Sequence, residues 1–131
     1  MRRRARRRRD QDRDRGSASL EFLGVLPILL LIALAGIQLG LAAYAASEAG
    51  TAARAAARAE AKYKAGVTGK AAGDAAVSSW LQVTISDPSA GAAPHSVQMT
   101  ATIQIPAVIP LFNPGSVSRS ATMPKEDTTT P

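Results

Sequence analysis

The longest uninterrupted hydrophobic segment of the chain runs from Phe22 to Ser47, 26 residues without a charged side chain. About 20 apolar residues in a helix span the hydrocarbon core of a bilayer, because each residue rises about 1.5 Å. The proline and glycines within the segment are better tolerated in membrane helices than in soluble ones. The pattern therefore predicts one transmembrane helix.

Three features inside this segment bear on how the helix packs. Pro27 lacks a backbone donor and clashes with the carbonyl group four residues earlier, which predicts a local kink. Gly36 and Gly40 form a pair of small residues that favours close association with another membrane helix. Gln38 places an amide in the apolar segment, where it can hydrogen-bond to another helix. Chance glycine spacing and contact of Gln38 with headgroups or a water-lined region are the alternatives.

Residues 48–65 are dominated by alanine, the strongest helix former, so the same helix is expected to continue outward to Lys64. Glu60 is placed to pair with Lys64 one turn later. A basic stripe is expected along this part of the helix, because three cations recur every four residues: Arg54, Arg58 and Lys62. The stripe is either a solvated face or a surface for acidic neighbours and lipid headgroups.

Beyond the helix the pattern changes from helical to alternating. Gly66 and Gly69 predict the end of the first helix, and residues 70–80 contain enough alanine for a second, shorter one. Two later segments alternate apolar and polar residues, which is typical of strands with one buried face. Their apolar members are Leu81, Val83 and Ile85, then Val97, Met99, Ala101, Ile103 and Ile105.

These strands complete an α+β fold. A loop over residues 87–95 joins them, and prolines at 106, 110 and 114 separate the second from a third strand expected over residues 117–123. The prediction is an N-terminal transmembrane helix extended by an Ala-rich helix, followed by a small antiparallel sheet of two to three strands.

The patterns divide the chain into four parts: a basic leader (1–16), the helix (17–65), a small α+β head (66–124) and a tail expected to be disordered (125–131). A head of roughly 50–60 residues without a disulfide is marginally stable by itself. We therefore expect its sheet to pack on helix residues such as Trp80 or on a partner.

The net charge of +6 comes from the leader, since the first fifteen residues carry nine arginines and three aspartates. A segment with so many charged residues and so few apolar ones is expected to be disordered. An arginine cluster before a hydrophobic span stays in the cytoplasm, which predicts that the residues after Ser47 lie outside. A nucleic-acid-binding arm is the alternative, but no stacking aromatics or recognition helix lie beside it, so no nucleic-acid partner is expected.

The most informative residues connect the leader to the span. A carboxylate in a membrane helix is unfavourable by roughly 2.5–3.5 kcal/mol at the bilayer centre and by less near the interface, so Glu21 is a candidate functional residue. A cut after Gly16 would create an α-amine on Ser17, four residues before Glu21 and one helical turn away. That amine can neutralise this carboxylate or the equivalent one on a neighbouring subunit.

Gly16, Glu21 and Phe22 resemble the prepilin peptidase site of the type IV family, in which a glycine is followed by four residues, a glutamate and an aromatic residue. Within that family the chain most resembles the TadE-like pseudopilins of the tight-adherence (Tad/Flp) branch, which also carry a proline six residues after the glutamate, here Pro27. The resemblance extends over residues 15–57, because the segment 52–56 is similar to the Ala/Arg segment that follows the family's membrane helix.

The resemblance implies a role as a substrate and assembly component. A membrane aspartyl peptidase would cut after Gly16 on the cytoplasmic side, and the mature chain from Ser17 would enter pilus assembly. The expected partners are this prepilin peptidase, other pilins or pseudopilins, the Tad assembly machinery and membrane lipids. Flp major pilins end soon after the hydrophobic helix, whereas this chain continues for more than 80 residues, which favours a minor pseudopilin.

Other readings of the same residues remain open. A basic segment, an apolar segment and the sequence Ala43-Tyr44-Ala45 also resemble a secretory signal that would be cut after Ala45, although signal apolar regions are typically about 7–15 residues long. Gly16 and Glu21 are also compatible with a flexible linker and an acid at a helix N-terminus. The functional alternative is a single-pass anchored or secreted binding module with no pilus role.

The sequence offers no catalytic constellation. It has no cysteine, which excludes disulfides, thiolate catalysis and Cys-ligated metals. His95 is the only histidine and falls in a Pro/Gly-rich loop, as expected of a surface residue. No acid pair, activated nucleophile, phosphate-binding glycine loop or metal-ligand spacing is present. No enzymatic activity, cofactor or metal is therefore expected.

Overall fold

The computed structural model describes residues 2–62, 67–88 and 94–126, with side chains at residue 16 and from residue 19 onward in these ranges. The elements in chain order are α1 (Arg2–Ala61), α2 (Gly69–Ala75), β1 (Val83–Ser86), β2 (Ser96–Gln104) and β3 (Ser116–Pro124). This confirms the predicted α+β fold. By its internal contacts the chain divides into two units, one ending at Ile37 and one beginning at Gln38.

The first unit is the N-terminal part of α1. The helix begins at Arg2, so the disorder predicted for the leader is wrong for the backbone of residues 2–15. Arginine is a good helix former, and this segment contains neither proline nor glycine to end a helix. The helix also continues through Pro27.

The apolar part of α1 is exposed. Among the described residues, one helical segment, Ser19–Ala61, is long and apolar enough to cross a membrane, and none of its most apolar stretch is buried within the protein. A helix that is hydrophobic all round belongs either in a protein core or in a bilayer. This one is uncovered among the described residues, so its surface is apolar enough to face a bilayer.

The second unit contains a three-stranded antiparallel sheet with β2 in the centre. Each strand pairs in regular register, with Ile85 opposite Ala101 and Ile103 opposite Val117. Alternate residues of β2 are buried, as the sequence predicted, and the third strand is confirmed as β3. The outer face carries two hydroxyl pairs, each 2.8 Å long: Thr100 with Ser120 and Thr102 with Ser118.

The buried face of the sheet shares one core with the C-terminal half of α1. Six alanines of α1 are fully buried there: Ala45, Ala49, Ala52, Ala53, Ala56 and Ala57. Their spacing of three and four residues places them on one face of the helix. Trp80, which was expected to cover the sheet, is instead 56% exposed. The expectation that the sheet packs on helix residues is confirmed, but the alanine face of α1 provides the second layer of the core instead of Trp80.

Helix α2 packs against both α1 and the sheet through two glycines. A Cβ at Gly69 would lie 2.8 Å from the carbonyl oxygen of Ala56, and a Cβ at Gly73 would lie 2.8 Å from Cδ1 of Ile85. Gly69 therefore begins α2 rather than ending α1, with Thr68 as the N-cap whose hydroxyl accepts from the amide of Ala71.

One further sequence expectation needs correction, and the pairing of Glu60 with Lys64 stays a prediction. The second helix, predicted over residues 70–80, ends at Ala75, since the amide of Ser78 donates to Oε2 of Glu48 and the chain turns toward β1. Glu60, expected to pair with Lys64, accepts a hydrogen bond of 2.8 Å from the amide of Gly69. Lys64 and Gly66 lie outside the described residues.

The start of the predicted tail is ordered. The amide of Lys125 donates to the carbonyl oxygen of His95, and the amide of Glu126 donates to that of Ala61. These two hydrogen bonds hold the first two residues of the predicted tail past the end of β3. Residues 127–131 lie outside the described part.

Replacing Gly69 with alanine should destabilise the head, because the new Cβ would approach the Ala56 carbonyl oxygen to 2.8 Å and force α2 away from α1. Overpacking of this kind costs about 1–3 kcal/mol. The measurement is the thermal unfolding of the full chain in detergent, followed by Trp80 fluorescence.

The matched control is Gly50→Ala in α1, where the new Cβ would meet the Arg54 guanidinium at an ordinary 3.4 Å. Alanine is the better helix former, so this variant should be neutral or stabilised. Equal melting temperatures for the Gly69 and Gly50 variants would contradict close packing of α2.

Candidate functional site

The processing motif predicted from sequence lies on the surface of α1. Gly16, Glu21 and Phe22 are exposed, and no described atom lies within 4 Å of a Cβ built at Gly16. Gly16 is inside the helix and Glu21 is far from its first turn. In the intact chain, the glycine is therefore not a linker, and the carboxylate cannot be stabilised by free amides at the helix N-terminus.

The helix places Ser17 and Glu21 on one face. Residues four apart in a helix are neighbours, separated by about 6 Å along the axis. Glu21 is also the single charged residue between Gly16 and Ser47. The arrangement sets one carboxylate in exposed apolar surface, one turn from the bond that the resemblance identifies as the cleavage site.

Gln38 has a defined role within the chain. Its side chain is 6% exposed. Its Nε2 donates to the carbonyl oxygen of Pro106 over 3.0 Å, and its Oε1 accepts from the amide of Val108 over 2.9 Å. These partners belong to the β2–β3 loop, residues 105–115. The sequence pattern contained no signal for this contact, because the partners are 68 and 70 residues away.

Gly36 and Gly40, which were also predicted to pack against a helix, have open space around them. A Cβ at Gly36 or Gly40 would meet no described atom within 4 Å. Their association with another helix, and the kink at Pro27, stay predictions. The close glycine pair with the same spacing is Gly69 and Gly73; the sequence pattern assigned Gly69 to the end of the first helix and did not single out Gly73.

Two more side chains of α1 hold the segment that connects α2 to β1. The rings of Tyr44 and Trp80 stack with centroids 5.8 Å apart and planes 7° apart. The Tyr44 hydroxyl lies 2.8 Å from Oγ of Ser78, whose amide donates to Glu48. Tyr44 and Glu48 are one helical turn apart on the same side of α1, so two successive turns of the helix contact this segment.

The β2–β3 loop contains a turn with unusual backbone geometry. The amide of Phe112 donates to the carbonyl oxygen of Ile109, which closes a four-residue turn with Pro110 in its second position. Leu111 follows with a φ of 68°, a left-handed conformation that usually requires glycine. Such strain costs on the order of 1–3 kcal/mol in a non-glycine residue. The turn displays Leu111 fully exposed and Phe112 half exposed.

The remaining polar features are surface groups. Arg54, Arg58 and Lys62 are exposed, as expected of the basic stripe. His95 is exposed beside β2. Within the described residues, no group of three or more His, Cys, Asp or Glu side chains could hold a metal ion.

Comparison with known families places the similarity in α1. Residues 16–58 match the family model described as TadE-like protein. The match begins at Gly16 and ends in the Ala/Arg segment, so the resemblance to the TadE-like family predicted for residues 15–57 is confirmed there. It covers about a third of the chain and ends before the head. Neither a curated protein nor a solved structure matches the chain. The TadE-like family is a structural or assembly component of pili and is not a known enzyme family.

Replacing Gln38 with leucine should loosen the β2–β3 loop, because the Pro106 carbonyl and the Val108 amide would lose their partner. A hydrogen bond of this kind contributes about 0.5–1.5 kcal/mol to stability. Hydrogen exchange at the Val108 amide should therefore accelerate. The control is Gln82→Leu, the same change at an exposed glutamine of the head. Equal exchange at Val108 in both variants would show that Gln38 does not hold the loop.

Proposed function

We propose that this chain is a minor pseudopilin of a Tad (Flp) pilus or related secretion apparatus, processed after Gly16 by a prepilin peptidase. The TadE-like segment supports a Tad pilus-associated role in general. The finer assignment is carried by one observation: the match begins at Gly16 and contains, five residues later, an exposed Glu21 within the apolar segment.

The proposed topology follows from charge and length. Nine arginines precede the span, and positive segments next to a span are retained in the cytoplasm. The helix from Ser19 onward is long and apolar enough to cross once. The head would then lie outside the cytoplasmic membrane, as a single-pass protein that can enter a surface pilus or its assembly complex.

In this proposal the chain is the substrate of the peptidase. Because Gly16 lies inside α1, the helix has to open locally before the bond can be cut. Glycine lowers helix stability by about 1 kcal/mol relative to alanine, so a glycine at this position assists opening. Its exposed backbone leaves room for an enzyme on that side of the helix.

The cut gives Glu21 a partner. The new α-amine on Ser17 is a cation at a helix N-terminus, one turn from the carboxylate. An amine from a neighbouring subunit can neutralise Glu21 as well, and does so only when the two helices are in one register. The unfavourable energy of an isolated carboxylate in lipid then acts to select that register.

The core of the head argues against the alternative cut after Ala45. Ala45 is fully buried in the core shared with the sheet. A cut there would detach Gln38 from the β2–β3 loop and Tyr44 from Trp80. Processing at Gly16 leaves every one of these contacts intact, which supports the anchored pseudopilin over a released, secreted module.

Processing can be tested by the intact mass of the protein recovered from membranes. The expected mature chain starts at Ser17. Gly16→Leu should retain the leader, because the site would lose its glycine. Gly24→Leu is the matched control, since Gly24 is equally open in α1, and it should still start at Ser17. A native chain that starts at Met1 or Ala46 would contradict the proposal.

The role of Glu21 can be tested by Glu21→Gln. The amide keeps the size of the side chain and removes the charge, so membrane insertion should be unchanged while most incorporation into the pilus or its assembly complex is lost. Glu126→Gln, at an exposed carboxylate after β3, is the control and should assemble normally. Normal assembly of Glu21→Gln would rule out subunit registration by this carboxylate.

A further inference from the structure

The β2–β3 loop is an uncovered apolar surface on the head. Residues 105–115 contain no charged side chain. Val108, Leu111 and Phe112 are exposed. The turn at Leu111 directs Leu111 and Phe112 away from the core. A soluble surface rarely places a fully exposed leucine and a phenylalanine side by side at the tip of a loop.

The attachment of this loop identifies its surroundings. Gln38 holds the loop through Pro106 and Val108, and it lies near the end of the exposed apolar run, between the exposed Ile37 and Leu39. A bilayer core takes up about 20 helical residues, and counting from Phe22 this length reaches Leu41. Gln38 therefore falls within the last turn of the hydrocarbon layer, and the loop is tied to the chain at that depth.

Seven of the eleven loop residues either lack an N–H group or donate it within the chain. Irregular backbone is tolerated at membrane depth only where its polar groups are satisfied within the protein. Three loop residues are prolines, which have no N–H group. Four other loop amides donate within the chain: Ile105 to Gly115, Val108 to Gln38, Phe112 to Ile109, and Gly115 to Asn113.

A stacked pair of aromatic side chains lies further along α1 than the contact between Gln38 and the loop. Tyr44 follows Gln38 by six residues, or about 9 Å along the helix, which corresponds to the headgroup region. Tyr44 stacks on Trp80, and both rings are partly exposed. Tyrosine and tryptophan are enriched at this boundary, because their rings are apolar and their tips are polar.

We propose that the β2–β3 loop is a second membrane contact of this protein, in which Leu111 and Phe112 enter the outer leaflet beside α1 and Trp80 lies among the headgroups. The proposal rests on the membrane-spanning part of the proposed function. A lipid surface is favoured over a protein partner because the loop has no charged side chain and is tied through Gln38 to the outer end of the apolar segment. The head would be held against the membrane until the subunit leaves it.

The chain has no cysteine, so single cysteines can be labelled with an environment-sensitive fluorophore. The experiment uses the full chain reconstituted in vesicles, with labels at Leu111→Cys, at Leu30→Cys in the span and at exposed Thr122→Cys in β3. Lipids that carry a nitroxide quencher report direct contact with the bilayer. The labels at positions 111 and 30 should be quenched several-fold more strongly than the label at 122.

Each other outcome overturns the inference in a distinct way. A label at 111 that remains in water while the label at 30 is quenched rejects the loop contact and leaves the span intact. A label at 111 that is shielded from water but not quenched by lipid indicates a protein neighbour instead. A label at 30 that is not quenched rejects the span itself, and with it the membrane topology in the proposed function.

Leu111→Gly separates membrane contact from folding. Glycine adopts the φ of 68° without strain, so the head should be at least as stable as the native one. Its loss of apolar surface should lower the quenching of Trp80, the only tryptophan, by lipids brominated near the headgroup. The control is Val67→Gly, which removes an exposed apolar side chain before α2 and should leave that quenching unchanged. Equal quenching in native and Leu111→Gly protein would count against the loop contact.

Discussion

The close packing of small residues along α1 is the constraint on which the second unit depends. The sheet has one buried face and no disulfide, and among its described residues Ile103 is the largest side chain that is fully buried. Six buried alanines bring the helix backbone near enough for such modest side chains to fill the space between the layers. Gly69 and Gly73 allow α2 to approach in the same way. Larger residues at these positions would separate the layers and open voids.

Polar side chains on α1 add specificity to that packing. Gln38 hydrogen-bonds to the β2–β3 loop, Tyr44 and Glu48 both hydrogen-bond to Ser78 between α2 and β1, and Glu60 hydrogen-bonds to the start of α2. Apolar contacts between alanines alone would permit sliding along the helix, whereas these hydrogen bonds have fixed partners and set the position of each connection. The helix that carries the exposed apolar span is thus also half of the folding core.

This dual use of one helix connects the proposed function to the fold. The TadE-like match covers residues 16–58, so it includes the candidate processing site, the apolar segment and most of the alanine face. The head that packs on this face lies outside the match. The candidate processing site and the surface on which the head packs are therefore parts of one continuous helix.

Much of this structure could be predicted from patterns of neighbouring residues in the sequence. The uncharged segment from Phe22 to Ser47 and the alternation of β2 are patterns within single elements, and each has one favoured structure. The motif around Gly16 indicated the family that the segment resembles. The roles of Gln38 and Gly69 and the exposure of Trp80 were decided only by tertiary structure. An amide in an apolar run has no visible partner until the chain returns to it 68 residues later, and a glycine that permits close approach has the same sequence signal as one that ends a helix.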